Sequence, residues 1–144
     1  MTTDTGVAQA NAAAMWRAVD AFGAGDMATL TEIFAPELKW HVPGRSAIAG
    51  DHIGRDAVFG LFGKMAALTS GTFKVTALEI IGDEKGGVFI TNDTGERNGK
   101  KLDVMLMLRV HIRAGKFVEV WDHVADLYAH DEFWSAKQQD AGTE

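Results

Sequence analysis

Two side chains in this 144-residue sequence set a titratable group in apolar surroundings: His41, near the end of Leu38-Lys39-Trp40-His41-Val42, and Asp122, within residues 117–124. An imidazole has its ordinary pKa near neutrality and can take or give a proton there. If 117–124 is a strand, alternation sets Asp122 beside Val118, Val120 and Val124, with Phe117, Glu119, Trp121 and His123 on the opposite face. A carboxyl among valines either borders a pocket or is expensively buried. Desolvation would raise its pKa toward the range useful for proton transfer. The plainer alternatives are an ion pair with an arginine for Asp122 and a hydrogen-bonded polar patch beside Trp40 for His41. His123 is no partner for Asp122, because neighbours on a strand point to opposite faces.

Other chemistries are excluded or weak. The chain has no cysteine, so disulfides, thiolate catalysis and thiolate metal sites are absent. Its five histidines show no ligand spacing, and no metal or cofactor is expected. Gly23-Ala24-Gly25-Asp26-Met27-Ala28 fits a dinucleotide-binding string but follows a helical pattern rather than a strand. Gly44-Arg45-Ser46-Ala47-Ile48 lacks the last glycine of a nucleophile elbow. Asn92-Asp93-Thr94 is a formal glycosylation sequon, without meaning unless the protein is secreted. A net charge of -6 without a basic stripe argues against nucleic acid. No apolar run approaches the ~18 residues that span a bilayer, so no membrane partner is expected. Residues 1–14 lack signal-peptide features, which makes a cytoplasmic protein the default.

The length suits a single domain over 1–144, with an ordered core of about residues 10–135 and a frayed start. Met15, Ala18, Val19 and Phe22 form one helical stripe, and Leu30, Ile33 and Phe34 a second after a cap at Asp26. Pro36 ends that helix, and residues 38–42 read as a short strand. After an irregular stretch over 45–54, Val58, Leu61, Phe62, Met65 and Leu68 mark a third helix. Gly60 and Gly63 within it are expected to let another backbone approach or to leave room beside the helix. From Thr72 the period becomes two, giving strands over 73–81, 88–96, 102–113 and 117–124, with a hairpin signal at Asn98-Gly99. A last segment with Leu127, Tyr128, Phe133 and Trp134 packs back on the domain. Three amphipathic helices need an apolar surface, and the long sheet is the one offered. The expected fold is therefore α+β: a cone in which three N-terminal helices pack on a strongly curved, mainly antiparallel sheet.

Phe22-Gly23-Ala24-Gly25-Asp26, Trp40-His41-Val42-Pro43-Gly44, Gly54-Arg55-Asp56-Ala57-Val58 and Gly115-Lys116-Phe117-Val118-Glu119-Val120-Trp121-Asp122 occur in this order and spacing. Over about residues 10–135 the chain thereby resembles the nuclear transport factor 2-like superfamily, in its SnoaL-like and ketosteroid-isomerase-like branch. The resemblance implies a cavity for a small apolar or aromatic molecule and a homodimer through the outer sheet face. It puts His41 where the isomerase-like members carry an aspartate base, and Asp122 where SnoaL-like cyclases carry an acid/base aspartate. Epoxide-hydrolase-like members use an Arg-x-Asp pair on one strand, which Arg109-Val110-His111 does not reproduce, and no tyrosine oxyanion donor is evident.

Around the two candidate catalytic residues, the substrate-binding candidates are Trp40, Arg45, Phe62, Asp103, Met105, Val120 and Tyr128, with Trp16 and Phe59 as further walls. Each has a simpler reading. Large aromatics are usually core, Arg45 with Asp51, His52 and Arg55 is solvated loop charge, and Asp103 is a strand-end charge. Residues 102–113 present an aliphatic face and a Met-bearing face, and either could border the cavity or a subunit interface. Two functions follow: a cofactor-independent isomerase or cyclase acting by proton transfer on a polycyclic or ketone-bearing apolar substrate, or a non-catalytic binding or dimerisation module. A transport adaptor is disfavoured, since no apolar docking surface stands out.

Overall fold

The computed structural model describes residues 2–135, with side chains from residue 6 onward. Helix α1 (Thr2–Ala24) starts well before residue 10, where fraying was expected, and ends at Gly25 in the left-handed region at φ 69°. Its Met15, Ala18 and Ala21 are buried. α2 (Met27–Ile33) is capped by Asp26, whose carboxylate accepts from the Thr29 backbone at 3.1 Å and the Thr29 hydroxyl at 2.7 Å. Phe34, assigned by periodicity to this helix, instead opens β1 (Phe34–Val42), so Pro36 falls within a strand rather than stopping the helix.

A short strand, β2 (Gly50–Ile53), lies in the stretch read as irregular and pairs antiparallel with β1. α3 (Arg55–Leu68) follows. Gly60 and Gly63 lie on its exposed side with nothing within 4 Å of a notional Cβ, so they admit no close backbone. The meander β3 (Lys74–Asp83), β4 (Gly86–Arg97), β5 (Lys100–Arg113) and β6 (Lys116–Val124) matches the expected four strands, and α4 (Leu127–Phe133) closes the described chain. The sheet order is β2-β1-β6-β5-β4-β3, antiparallel except for β1 beside β6. The result is the expected cone: helices packed on a curled, unclosed sheet.

Parity along the strands decides what the cone encloses. On β5, Leu102, Val104, Leu106 and Val110 are buried, whereas Met105 and Met107 are 42% and 48% exposed. The aliphatic face is therefore inside. On β6, the register skips Val118, with Phe117 paired to Ile112 and Glu119 to His111. This bulge turns Phe117 inward, 1% exposed beside Val120, against simple alternation. Beyond it the alternation holds: Asp122 faces in, and Trp121 faces out.

Two clusters fill the interior. One joins α1, α2 and β1 around Met15, Leu30, Phe34 and Phe117; the other joins β5 and α4 around Leu102, Val104, Phe133 and Trp134. Trp40, Phe62 and Leu108 pack against both.

Candidate active site

The cavity lies at the seam between these clusters. It measures about 100 Å³ and is walled by Phe22, Phe34, Trp40, Phe62, Phe73, Phe89, Leu106, Leu108 and Phe117, among other apolar side chains. Among the described residues, four polar ones besides Trp40 border it: Thr91 and Asp93 from β4, Asp122 from β6 and His130 from α4. Trp40 supplies both a wall and a hydrogen bond, its indole Nε1 donating to Asp122 Oδ1 at 2.9 Å.

Both carboxyls are poised near neutrality. Burial, and then the charge of Asp93, push Asp122 up to about 7; the Trp40 hydrogen bond and the charge of His41 act the other way. Burial pushes Asp93 up to about 7 as well, opposed by the Thr91 hydroxyl, which donates to its Oδ1 at 3.2 Å. Asp122 feels the charge of Asp93, so in this apolar enclosure the two carboxyls do not ionise independently. The indole is a pure donor and favours an ionised partner, at a shorter distance than the hydroxyl on Asp93.

The sequence candidates divide between the two sides of the sheet. Asp122, Trp40 and Phe62 meet at the cavity. His41 does not join them, because adjacent residues of a strand alternate and Trp40 takes the inward position. On the outer face, His41 Nδ1 lies 2.7 Å from Asp51 and Nε2 2.6 Å from Glu119, and its ring stacks on Trp121. Asp51 first, and then Glu119, raise its pKa. The expected pairing of His41 with Asp122 inside the cone is thus overturned by strand parity.

The same parity corrects Asp103 and Met105, which lie outside, Asp103 accepting from Asn92 at 2.9 Å. Arg45 is exposed on the loop after β1, where its backbone N–H donates to Asp131 at 3.1 Å. Tyr128 is 91% exposed on α4 and Trp16 46% exposed on α1, since each falls on the solvent side of its helix. Val120 is fully buried in the core rather than bordering the cavity, and so packs without reaching a ligand. Phe59 likewise packs against the first cluster.

Asp93 and His130 were not foreseen. Asp93 shares inward parity with Phe89 and Thr91, a signal that was available in the alternation of β4.

A helix-covered, curled sheet around an apolar cavity is the nuclear transport factor 2-like fold. Within it, residues 16–120 match the SnoaL-like domain family, and the chain belongs to that family. An uncharacterised protein of Mycobacterium tuberculosis is 34% identical over 120 residues, covering 83% of this chain and 92% of that protein. The structure of Bal32a, from a soil-derived mobile gene cassette, is 44% identical with a TM-score of 0.86, covering 89% of this chain and 98% of its own. A nuclear transport factor 2-like protein from Burkholderia xenovorans shares the fold at 20% identity and a TM-score of 0.76, over 89% of this chain and 98% of its own.

Proposed function

We propose that the protein is a cofactor-independent acid/base catalyst that isomerises or cyclises a small, largely apolar, ketone-bearing molecule. The observation that carries this is the pair Asp93 and Asp122, both pushed up to about 7 and both bordering one aromatic cavity. Groups with pKa values near the working pH are the ones that transfer protons efficiently.

In this reading the Asp122 carboxylate takes a proton from the carbon next to the substrate carbonyl. The C–H electron pair moves into an enolate, and the Asp93 carboxyl donates a hydrogen bond to the developing oxyanion. Where a substrate double bond is conjugated with the enolate, Asp122 then returns the proton to the far carbon of that system, which completes a double-bond isomerisation; in a cyclisation the enolate carbon instead bonds to a second carbonyl carbon, whose oxygen takes the proton. Asp93 serves where a tyrosine donor is missing, since the one tyrosine, Tyr128, is solvent-exposed. A cavity of about 100 Å³ supports a single-ring substrate more than a polycyclic one, because drug-sized ligands occupy roughly 300–1,000 Å³.

The test is to follow α-hydrogen exchange of small cyclic ketones in D₂O by NMR, with wild-type protein and with the Asp93→Asn, Asp122→Asn double variant. Exchange by the wild type alone is the expected result. Binding of these ketones without exchange would replace catalysis by the binding-module reading.

The outer sheet face supports a homodimer, with Met105 and Met107 exposed on it. Sedimentation equilibrium is expected to give twice the chain mass, and Met107→Glu to halve it; a wild-type protein of single-chain mass at high concentration would end this proposal.

A further inference from the structure

We propose that His130 is a ligand-anchoring residue: its imidazole hydrogen-bonds a hydroxyl or comparable polar group on a single-ring ketone whose carbonyl reaches the carboxyl pair. The inference rests on the cavity reading above and adds a specificity determinant from a different element.

The polar capacity of the cavity is largely spent. The Trp40 indole is committed to Asp122 and the Thr91 hydroxyl to Asp93. His130 differs. It is 2% exposed, it borders the cavity, and its Nδ1 has no hydrogen-bond partner among the described residues. A buried polar atom without a partner is rare and costly, so it calls for an explanation outside the protein's own bonds. A ligand hydrogen-bonded to the same ring would offset part of that cost.

The electrostatics specify the ligand group. Burial lowers the His130 pKa below its ordinary value, against the charge of Asp131, which favours the uncharged ring at neutral pH. It then offers one N–H donor and one lone pair. That suits a hydroxyl, which can give and take a hydrogen bond, and it does not suit an anion. The carboxyls approach the cavity from the sheet and His130 from α4, so a ligand between them is held from two elements. A ketone with a second polar substituent meets both demands, and the apolar walls exclude charged substituents.

The probes are 4-hydroxyacetophenone and 4-methylacetophenone, similar in shape and different in one polar group, titrated by NMR into the full chain. Wild type is expected to prefer the hydroxyl compound by about five- to tenfold, the value of one neutral hydrogen bond. His130→Phe is expected to erase that preference while holding the methyl compound within about twofold, and His130→Gln to restore part of it. Equal loss of both compounds in His130→Phe and His130→Gln alike would assign the residue to packing and overturn the inference, as would a hydroxyl preference that survives in His130→Phe. Failure of both probes to bind wild type would overturn it too. Asp122→Asn separates the two readings: exchange is lost there while the hydroxyl preference persists, and a preference lost together with exchange would overturn the anchoring role of His130.

Discussion

Asp122→Asn is expected to slow ketone α-hydrogen exchange by about 10²–10⁴-fold, the usual range for a positioned acid/base group, and at the same time to stabilise the protein at pH 8. An amide cannot take the proton, yet its oxygen can still accept the Trp40 hydrogen bond now made to Asp122. The stability effect follows from proton linkage. The Asp122 carboxyl goes from 3.8, its ordinary value, up to about 7 on folding, so between those values the folded state holds a proton that the unfolded state has released. Stability then falls as pH rises through that window, and the penalty is complete above about 7. Below the ordinary value both states are protonated and the penalty is absent. A rise of this size corresponds to at most about 4 kcal/mol. Sharing of the effect with Asp93 brings the expected gain from Asn to about 2 kcal/mol, or roughly 4–8 °C for a domain of this size. Thermal melts at pH 4 and pH 8 check it: the gain should appear at pH 8 and vanish at pH 4. A gain equal at both pH values would show that the carboxyl is not held against its charge, and an unchanged exchange rate would remove Asp122 from the chemistry.

What could be read from the residues alone depended on periodicity. Helical stripes such as Met15, Ala18 and Phe22, and the strict alternation of β5, report burial directly, so the helices, the meander and the cone followed from them. Asp122 was legible because it sits among valines beyond the bulge, where alternation holds. Phe117 was not, because an extra residue at Val118 shifts the parity and leaves no mark in the composition. The pair Trp40-His41 was ambiguous for another reason: both are amphipathic and either can face a cavity or a neighbour. The partners on the outer face, Asp51, Glu119 and Trp121, come from β2 and β6, and only tertiary structure brings them to His41. β2 itself is too short to show a period. His130 lies in a seven-residue helix whose inward side is set by how α4 docks, and that docking depends on a residue far away in sequence, Arg97.

Arg97→Ala is expected to release α4 and to lower stability by about 3 kcal/mol, roughly 6–12 °C. Arg97 is 3% exposed at the end of β4, and its Nη1 donates to Phe133 O at 2.7 Å and Ser135 O at 3.0 Å. Carbonyls at a helix C-terminus have no partner within the helix, and a cation there also meets the negative end of its dipole. Burial lowers the guanidinium's pKa, but an arginine stays protonated in proteins, so the charge remains and these carbonyls are its partners. Removing it forfeits two charge-assisted bonds and leaves space where the side chain packed. The cost is partly offset because Nη2 has no partner among the described residues and its burial is relieved. The remaining ties of α4 are thinner: Ala47 N–H to Trp134 O at 3.0 Å, Arg45 N–H to the Asp131 carboxylate, and the Lys100–Glu132 ion pair at the surface. Arg97→Lys should not rescue the variant, since an ammonium is more strongly hydrated than a guanidinium and costs more to bury beside these carbonyls. Phe133 and Trp134 belong to the second cluster, so loss of α4 exposes apolar surface and opens the cavity on the side that carries His130. Raised binding of a hydrophobic dye and faster amide exchange over Leu127–Phe133 are the expected signatures. A variant that keeps both protected amides and the wild-type melting temperature would mean that the apolar contacts of Phe133 and Trp134 hold α4 by themselves.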